Sequence, residues 1–184
     1  LDDERVAEGM QDERDNFERH HAFRKVTREE YEAGERKEVV PMRWIICKKP
    51  KPGKPDYVKC RLVVQQVAHD KDVGMYAATP SMIGQRLAAW YCMKHPGYCA
   101  VILDVIAAFL HATIPEDARP MLLPPESEQP RDGTQELWEG LQAIYGARKS
   151  PRWFQNWFAD QLKTINFSRS AADPQIFHRH DALL

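Results

Sequence analysis

The sequence predicts a mixed α/β fold of the α+β kind, an antiparallel sheet with helices packed against it. Three stretches carry that prediction. Residues 38–48 (EVVPMRWIICK) and 57–67 (YVKCRLVVQQV) are rich in β-branched and aromatic residues. They flank a turn of Pro, Gly and Lys, which makes a β-hairpin. Residues 98–105 (YCAVILDV) form an almost unbroken apolar run, the pattern of a strand buried on both faces. Residues 150–166 repeat Trp153, Phe154, Trp157, Phe158, Leu162 and Ile165 on one helical face.

The other elements follow in chain order. Residues 2–37 are charged and rich in Glu, Arg and Ala. Val6, Met10 and Phe17, with Phe23 and Tyr31, give them only a thin apolar stripe. They read as one or two exposed helices, with Thr27–Glu30 as a capping box. Residues 1–40 are therefore expected to be a lead-in and residues 41–184 the body of the domain. In the second strand of the hairpin Lys59 and Arg61 alternate with Val58, Cys60 and Leu62, as on a half-buried strand. Residues 81–94 have apolar positions at 83, 87, 90 and 91, with Ser81 as N-cap and His95-Pro96-Gly97 as the stop. AAFLHA reads as a helical turn and residues 115–133 as a Pro-rich loop. Apolar patterning resumes at Leu137, Trp138, Leu141 and Ile144. Ser150 is expected to cap the 150–166 helix, with Pro151 at its first position, where the missing N–H costs nothing. Asp173-Pro174 then precedes a short strand, QIFHRH.

At 184 residues, with 43% hydrophobic and 29% charged side chains, the chain suffices for one domain, or one and a part, with a sizeable core. That composition excludes a disordered chain. No apolar run approaches the roughly 20 residues of a spanning helix. The acidic start LDDERVAEG lacks the apolar core of a signal peptide, and Leu1 in place of Met suggests a fragment. Cys47, Cys60, Cys92 and Cys99 show no Cys-x-x-Cys spacing and read as reduced thiols of an intracellular protein. Cys92, His95 and Cys99 match no common zinc module.

The net charge of −1 hides an uneven distribution. Residues 1–40 carry 8 Lys and Arg against 13 Asp and Glu, and residues 41–71 carry 8 against 2. The basic stretch is a candidate phosphate contact, or simply a solvated hairpin. Asp104 closes the apolar run. It is a candidate ligand of a two-metal phosphoryl-transfer site, which needs at least two carboxylates, or a cap for the following turn. Lys59 and Arg61 suit a triphosphate, or ordinary strand polarity facing water. IYGARKSPRWF (144–154) sets cations just ahead of a helix N-terminus, favourable for an anion or a template strand, or is a well-capped loop. His111, His178 and His180 read as surface or strand residues.

The order of these pieces is more specific than any one of them. RWIICKK (43–49), VKCRLVV (58–64), LDVIAAFLHA (103–112) and IYGARKSPRWF (144–154) follow one another over some 130 residues. In that order the chain resembles the reverse transcriptase of copia-type LTR retrotransposons, from about Arg43 to Phe177. The resemblance implies the fingers and part of the palm of a right-hand polymerase. By it, Asp104 is the first metal-binding aspartate and the carbonyl of Val105 a backbone ligand of the same Mg²⁺ pair, with Mn²⁺ the alternative. Phe109 is the steric gate under the sugar. Lys59 and Arg61 hold the incoming triphosphate beside Tyr145 and Gly146, and Arg148, Ser150 and Pro151 contact template and primer.

The implied partners are an RNA template, a DNA primer, a dNTP and the rest of a Gag-Pol-type polyprotein, without a membrane. The implied location is intracellular, whether cytoplasm, virus-like particle or nucleus. The chain departs from the family pattern in places. The family's Tyr-x-Asp-Asp hairpin does not occur, and Asp173 and Asp181 do not replace it. Ile106-Ala107 stands for the usual Lys-Thr, Ala147-Arg148-Lys149 for Leu-Lys-Gln, and Ala112 for a Gly. With one catalytic carboxylate of three, the chain alone is expected to be inactive. The alternative is a non-catalytic nucleic-acid-binding or domesticated relic.

Overall fold

The computed structural model describes residues 2–34, 38–51, 54–66, 77 and 79–184. The elements run α1 (Asp3–Arg19), β1 (Phe23–Val26), α2 (Arg28–Ala33), β2 (Val39–Lys51), β3 (Lys54–Val64), α3 (Met82–Lys94), β4 (Met121–Leu123), β5 (Leu137–Gly140), α4 (Ser150–Thr164), β6 (Ser168–Arg169), β7 (Phe177–Arg179) and β8 (Ala182–Leu183). Five strands form one mixed sheet in the order β1-β5-β4-β2-β3, and β6-β7-β8 form a small second sheet. The fold class is thus mixed α and β, as the patterning predicts.

The hairpin forms as expected. β2 and β3 pair antiparallel, with Trp44 opposite Leu62, Ile45 opposite Arg61 and Cys47 opposite Lys59. Pro52 and Gly53 of its turn, Val67 at the expected end of its second strand, and Asp70 and Lys71 of the basic stretch lie outside the described residues. Of the eight strands among the described residues, five escape the sequence reading: β1, β4, β5, β6 and β8. β1 lies in the charged lead-in, and β4 lies inside the Pro-rich loop, where it pairs parallel with β2 and antiparallel with β5. Strands of two to four residues carry too little periodicity to be seen in a sequence. The core joins Phe17, Ala22, Val40, Met42, Leu62, Val64, Leu110, Leu122, Trp138 and Ile144. Phe17 and Ala22 bring the first 40 residues into that core, and Phe23 stacks on Trp138 at 3.7 Å.

β3 is an edge strand, and unpaired strand edges invite unwanted pairing. Here the edge is covered from within. The Val64 N–H donates to the Tyr145 carbonyl at 2.8 Å, and the Leu62 N–H to Glu13 Oε1 of α1 at 3.3 Å. Cys60 Sγ lies 3.6 Å from the Val6 carbonyl, and a Cβ on Gly9 would stand 2.8 Å from the Val58 carbonyl oxygen. Gly9 is what lets α1 lie this close. Arg14 fixes the helix from the other side, with a bidentate pair to Glu128 at 2.7 and 3.0 Å and its guanidinium over Trp44.

Capping follows the sequence at two helices. Thr27 and Glu30 form both hydrogen bonds of the capping box. Ser81 accepts from the Gly84 N–H at 2.9 Å. α4 differs: Lys149 is its N-cap, and Ser150, fully buried, donates its hydroxyl to the Ile144 carbonyl at 2.7 Å. Ser150 therefore ties α4 to the preceding turn instead of capping it.

The largest correction concerns residues 98–105. They form no strand, and Val101, Ile102 and Leu103 are 69%, 98% and 76% exposed. A central strand needs a neighbour on each edge and cover on each face. Among the described residues no strand pairs with this run. α3 forms where predicted, yet Ile83, Leu87, Trp90 and Met93 on it are exposed as well. Its start is held by Asp173, which accepts from the Ser81 hydroxyl at 2.7 Å.

Candidate functional site

The site is assembled from three separate stretches. Lys59 and Arg61 stand two residues apart on β3 and so face the same way. The Arg61 guanidinium sits 4.5 Å over the Tyr145 ring. The Tyr145 ring lies 5.1 Å from Phe109, and Phe109 6.0 Å from Phe154 of α4. Cation, phenol and phenyl rings thus form a half-buried floor, with a fixed positive charge at one end.

Two local devices hold that floor. The turn at Tyr145-Gly146 passes so close to β3 that a side chain at Gly146 would collide with the Val64 carbonyl, and Gly146 has φ +87°. The helical turn Ala108–His111 starts from Ala107 at φ +52°, an uncommon left-handed conformation for a residue with a Cβ. That turn buries Leu110 and leaves Phe109 facing Tyr145. His111, read from sequence as a surface or strand residue, is half-buried in this helical turn. It bonds to the Ile106 carbonyl at 3.1 Å, stacks on Trp157 and meets His20 edge-on.

The electrostatics converge on Tyr145. Burial raises its hydroxyl pKa and Arg61 lowers it, while the charges of Glu13 and Asp104 raise it further. Asp104 is exposed and acts on this hydroxyl through space. It makes no hydrogen bond to the turn after it among the described residues, so the capping alternative finds no counterpart there. Val105 follows it, half-buried.

The remaining predicted residues divide. The Arg148 N–H donates to Gln66 Oε1 at 2.9 Å, joining the turn to the end of β3. Pro151 is half-buried at the start of α4. Ser150, expected at a template contact, is buried with its hydroxyl occupied, so it holds the turn and presents nothing to solvent. Asp181 is paired with Arg179 at 2.6 and 3.1 Å, and Asp173 accepts from the Ser81 hydroxyl. His178 and His180 are exposed on and beside β7.

Among the described residues no group of three or more His, Cys, Asp or Glu could hold a metal ion. Among the described residues Asp104 is the exposed carboxylate in electrostatic range of Tyr145, and a two-metal clamp needs at least two. Among the described residues this cluster does not by itself complete the ligand set of a Mg²⁺ pair.

Sequence reasoning missed Glu13. It is 5% exposed and accepts from the Leu62 N–H, with Asn16 as a further partner and the charges of Arg61 and Lys59 close by. Its signal was its place on the helix: positions 6, 10, 13 and 17 share one face, so a carboxylate interrupts an apolar stripe.

Comparison with family models, curated proteins and solved structures finds no match. Among the described residues no helix is long and apolar enough to cross a membrane.

Proposed function

We propose that the chain is the fingers and part of the palm of a copia-type RNA-directed DNA polymerase, and that the cluster around Tyr145 receives an incoming deoxynucleoside triphosphate. One observation carries the reading. Arg61, Phe109 and Tyr145 come from distant stretches and were singled out by different motifs, and Tyr145 meets both of the others, with Asp104 in electrostatic range. In this reading Lys59 and Arg61 neutralise the phosphates, the Phe109 ring lies under the sugar, and Asp104 supplies one carboxylate of a metal clamp that this chain does not complete. Positioning and charge neutralisation dominate phosphoryl transfer, so these are the parts such a site requires. Template RNA and primer DNA would be gripped through their backbones, without sequence reading. Mg²⁺, the polyprotein context and an intracellular location belong to the same proposal.

Calorimetric titration with a dNTP tests it. Arg61→Ala should weaken binding by about tenfold or more, the worth of one charge-assisted contact. Phe109→Ala should bring dNTP and NTP affinities together. Unchanged affinity in the first variant, or unchanged sugar preference in the second, would overturn the assignment. The second reading, a nucleic-acid-binding relic, is favoured by the lack, among the described residues, of a group of three or more His, Cys, Asp or Glu that could hold a metal. It predicts binding of single-stranded RNA without dNTP discrimination.

A further inference from the structure

The acidic first helix and the basic second strand of the hairpin meet at one buried carboxylate. α1 lies along the outer edge of β3, and Glu13 is the residue it inserts there, 5% exposed. Its Oε1 accepts from the Leu62 N–H at 3.3 Å. Leu62 directly follows Arg61, and Lys59 stands two residues before Arg61 on the same strand. Glu13 is therefore within electrostatic reach of both cations, yet neither forms an ion pair with it among the described residues. Arg61 is instead taken up by Tyr145. The carboxylate is desolvated and has no ion-pair partner among the described residues, which disfavours its charged form.

We propose that Glu13 couples polyphosphate binding at Lys59 and Arg61 to proton uptake, so that an anion arriving on the two cations drives a proton from solvent onto the Glu13 carboxylate. The inference rests on the nucleotide-site reading and adds its regulation. A polyphosphate near Arg61 brings negative charge close to Glu13, in a setting of reduced dielectric. Two like charges then compete for the same cations, and the carboxylate is the one able to neutralise. The balance is one proton taken from solvent and one carboxylate converted to carboxylic acid, with no other bond made or broken. The protonated acid stays buried beside Leu62.

The groups facing Glu13 are consistent with this role. From β3 they are Lys59, Cys60 and Arg61, and from the turn before α4 Tyr145. On its own helix Asn16 donates to it, and Arg14 points away to Glu128. Desolvation already raises its pKa, while the Leu62 N–H, Arg61 and Lys59 lower it. Binding a polyanion removes much of the lowering by the two cations.

The test is calorimetric titration with inorganic tripolyphosphate near pH 6, in buffers of different ionisation enthalpy. The wild-type chain should take up a measurable fraction of a proton more than Glu13→Gln. The ligand's own titration cancels in that difference. Glu13→Gln should bind about threefold or more tightly at neutral pH, and its affinity should vary less with pH. Equal uptake and equal affinity would make Glu13 purely structural and overturn the coupling while leaving the nucleotide site standing. Tripolyphosphate binding that Lys59→Ala and Arg61→Ala leave unchanged, or no binding at all, would overturn the nucleotide-site reading and the coupling with it. Should the Gln variant fail to fold, wild-type titration with sulfate, which does not titrate near neutral pH, decides: proton uptake supports the coupling and its absence overturns it.

Discussion

A side chain at Gly146 would meet the Val64 carbonyl, and its φ of +87° is one that residues with a Cβ rarely adopt. Gly146→Ala should therefore cost more than about 2 kcal/mol, because neither the strand nor the turn can yield. A lowered urea midpoint with an unchanged slope would show it. The same turn carries Tyr145, so Arg61 should lose its aromatic seat in that variant. Glu13 makes a different prediction. Its pKa is raised by burial above the usual 4.5, so the folded chain binds this proton more readily than the unfolded chain. The stability it contributes is complete below 4.5 and is lost as pH rises through the raised value. Glu13→Gln keeps an acceptor for the Leu62 N–H and should melt above wild type at neutral pH, with the gap closing on acidification. Glu13→Ala leaves that N–H unpartnered and should cost about 1–3 kcal/mol. Melting temperatures from acid to neutral pH check both.

At the scale of elements, α1 and β3 depend on each other. β3 is the sheet edge that needs cover, and α1 is a charged helix with only a thin apolar stripe. Phe17 joins the core, Gly9 permits close approach, and Arg14 ties the helix to Glu128 and Trp44. Arg14→Ala should cost about 1.5–3 kcal/mol, since Glu128 is left one-tenth exposed without its bidentate partner. Faster amide exchange in both α1 and residues 126–129, with β4 and β5 unaffected, would place the loss at this latch. α4 shows the same dependence between elements: Ser150 binds the Ile144 carbonyl, so the helix begins where the turn of the candidate site ends.

Across the whole molecule, buried and exposed apolar side chains fall in different elements. The five-stranded sheet, α1 and the start of α4 enclose the core, while α3 and residues 98–106 present exposed Ile83, Trp90, Met93, Ile102 and Ile106. The backbone N–H groups of residues 99–106 have no backbone partner among the described residues. They should exchange near their intrinsic rates, whereas β2 and β3 are protected. Strong protection at Val101–Leu103 in hydrogen-exchange mass spectrometry would mean that a further surface covers them.

Long, periodic stretches could be read in advance. The hairpin registers through alternation at Lys59 and Arg61, α4 through its aromatic face, and α2 through Thr27 and Glu30. β1, β4, β5, β6 and β8 could not be read, because two to four residues hold at most two periods of an alternating pattern. Within the candidate site, Asp104, Phe109, Lys59, Arg61 and Tyr145 were legible as residue types in an order. Glu13 was legible only as an anomaly on an apolar stripe.

The sequence by itself determined the hairpin, the helix starts at Thr27 and Ser81, the extent of α4, and which side chains carry charge or aromatic area. These are local matters, settled by periodicity and by hydrogen bonds between near neighbours. Tertiary structure alone decided that Tyr145 seats Arg61 and that Glu13 is buried against β3, accepting from the Leu62 N–H. It also decided that Ser150 faces inward, and that a run as apolar as Val101–Leu103 stands uncovered. Each depends on which surfaces meet. A strand-like run becomes a strand only when another strand supplies its hydrogen bonds.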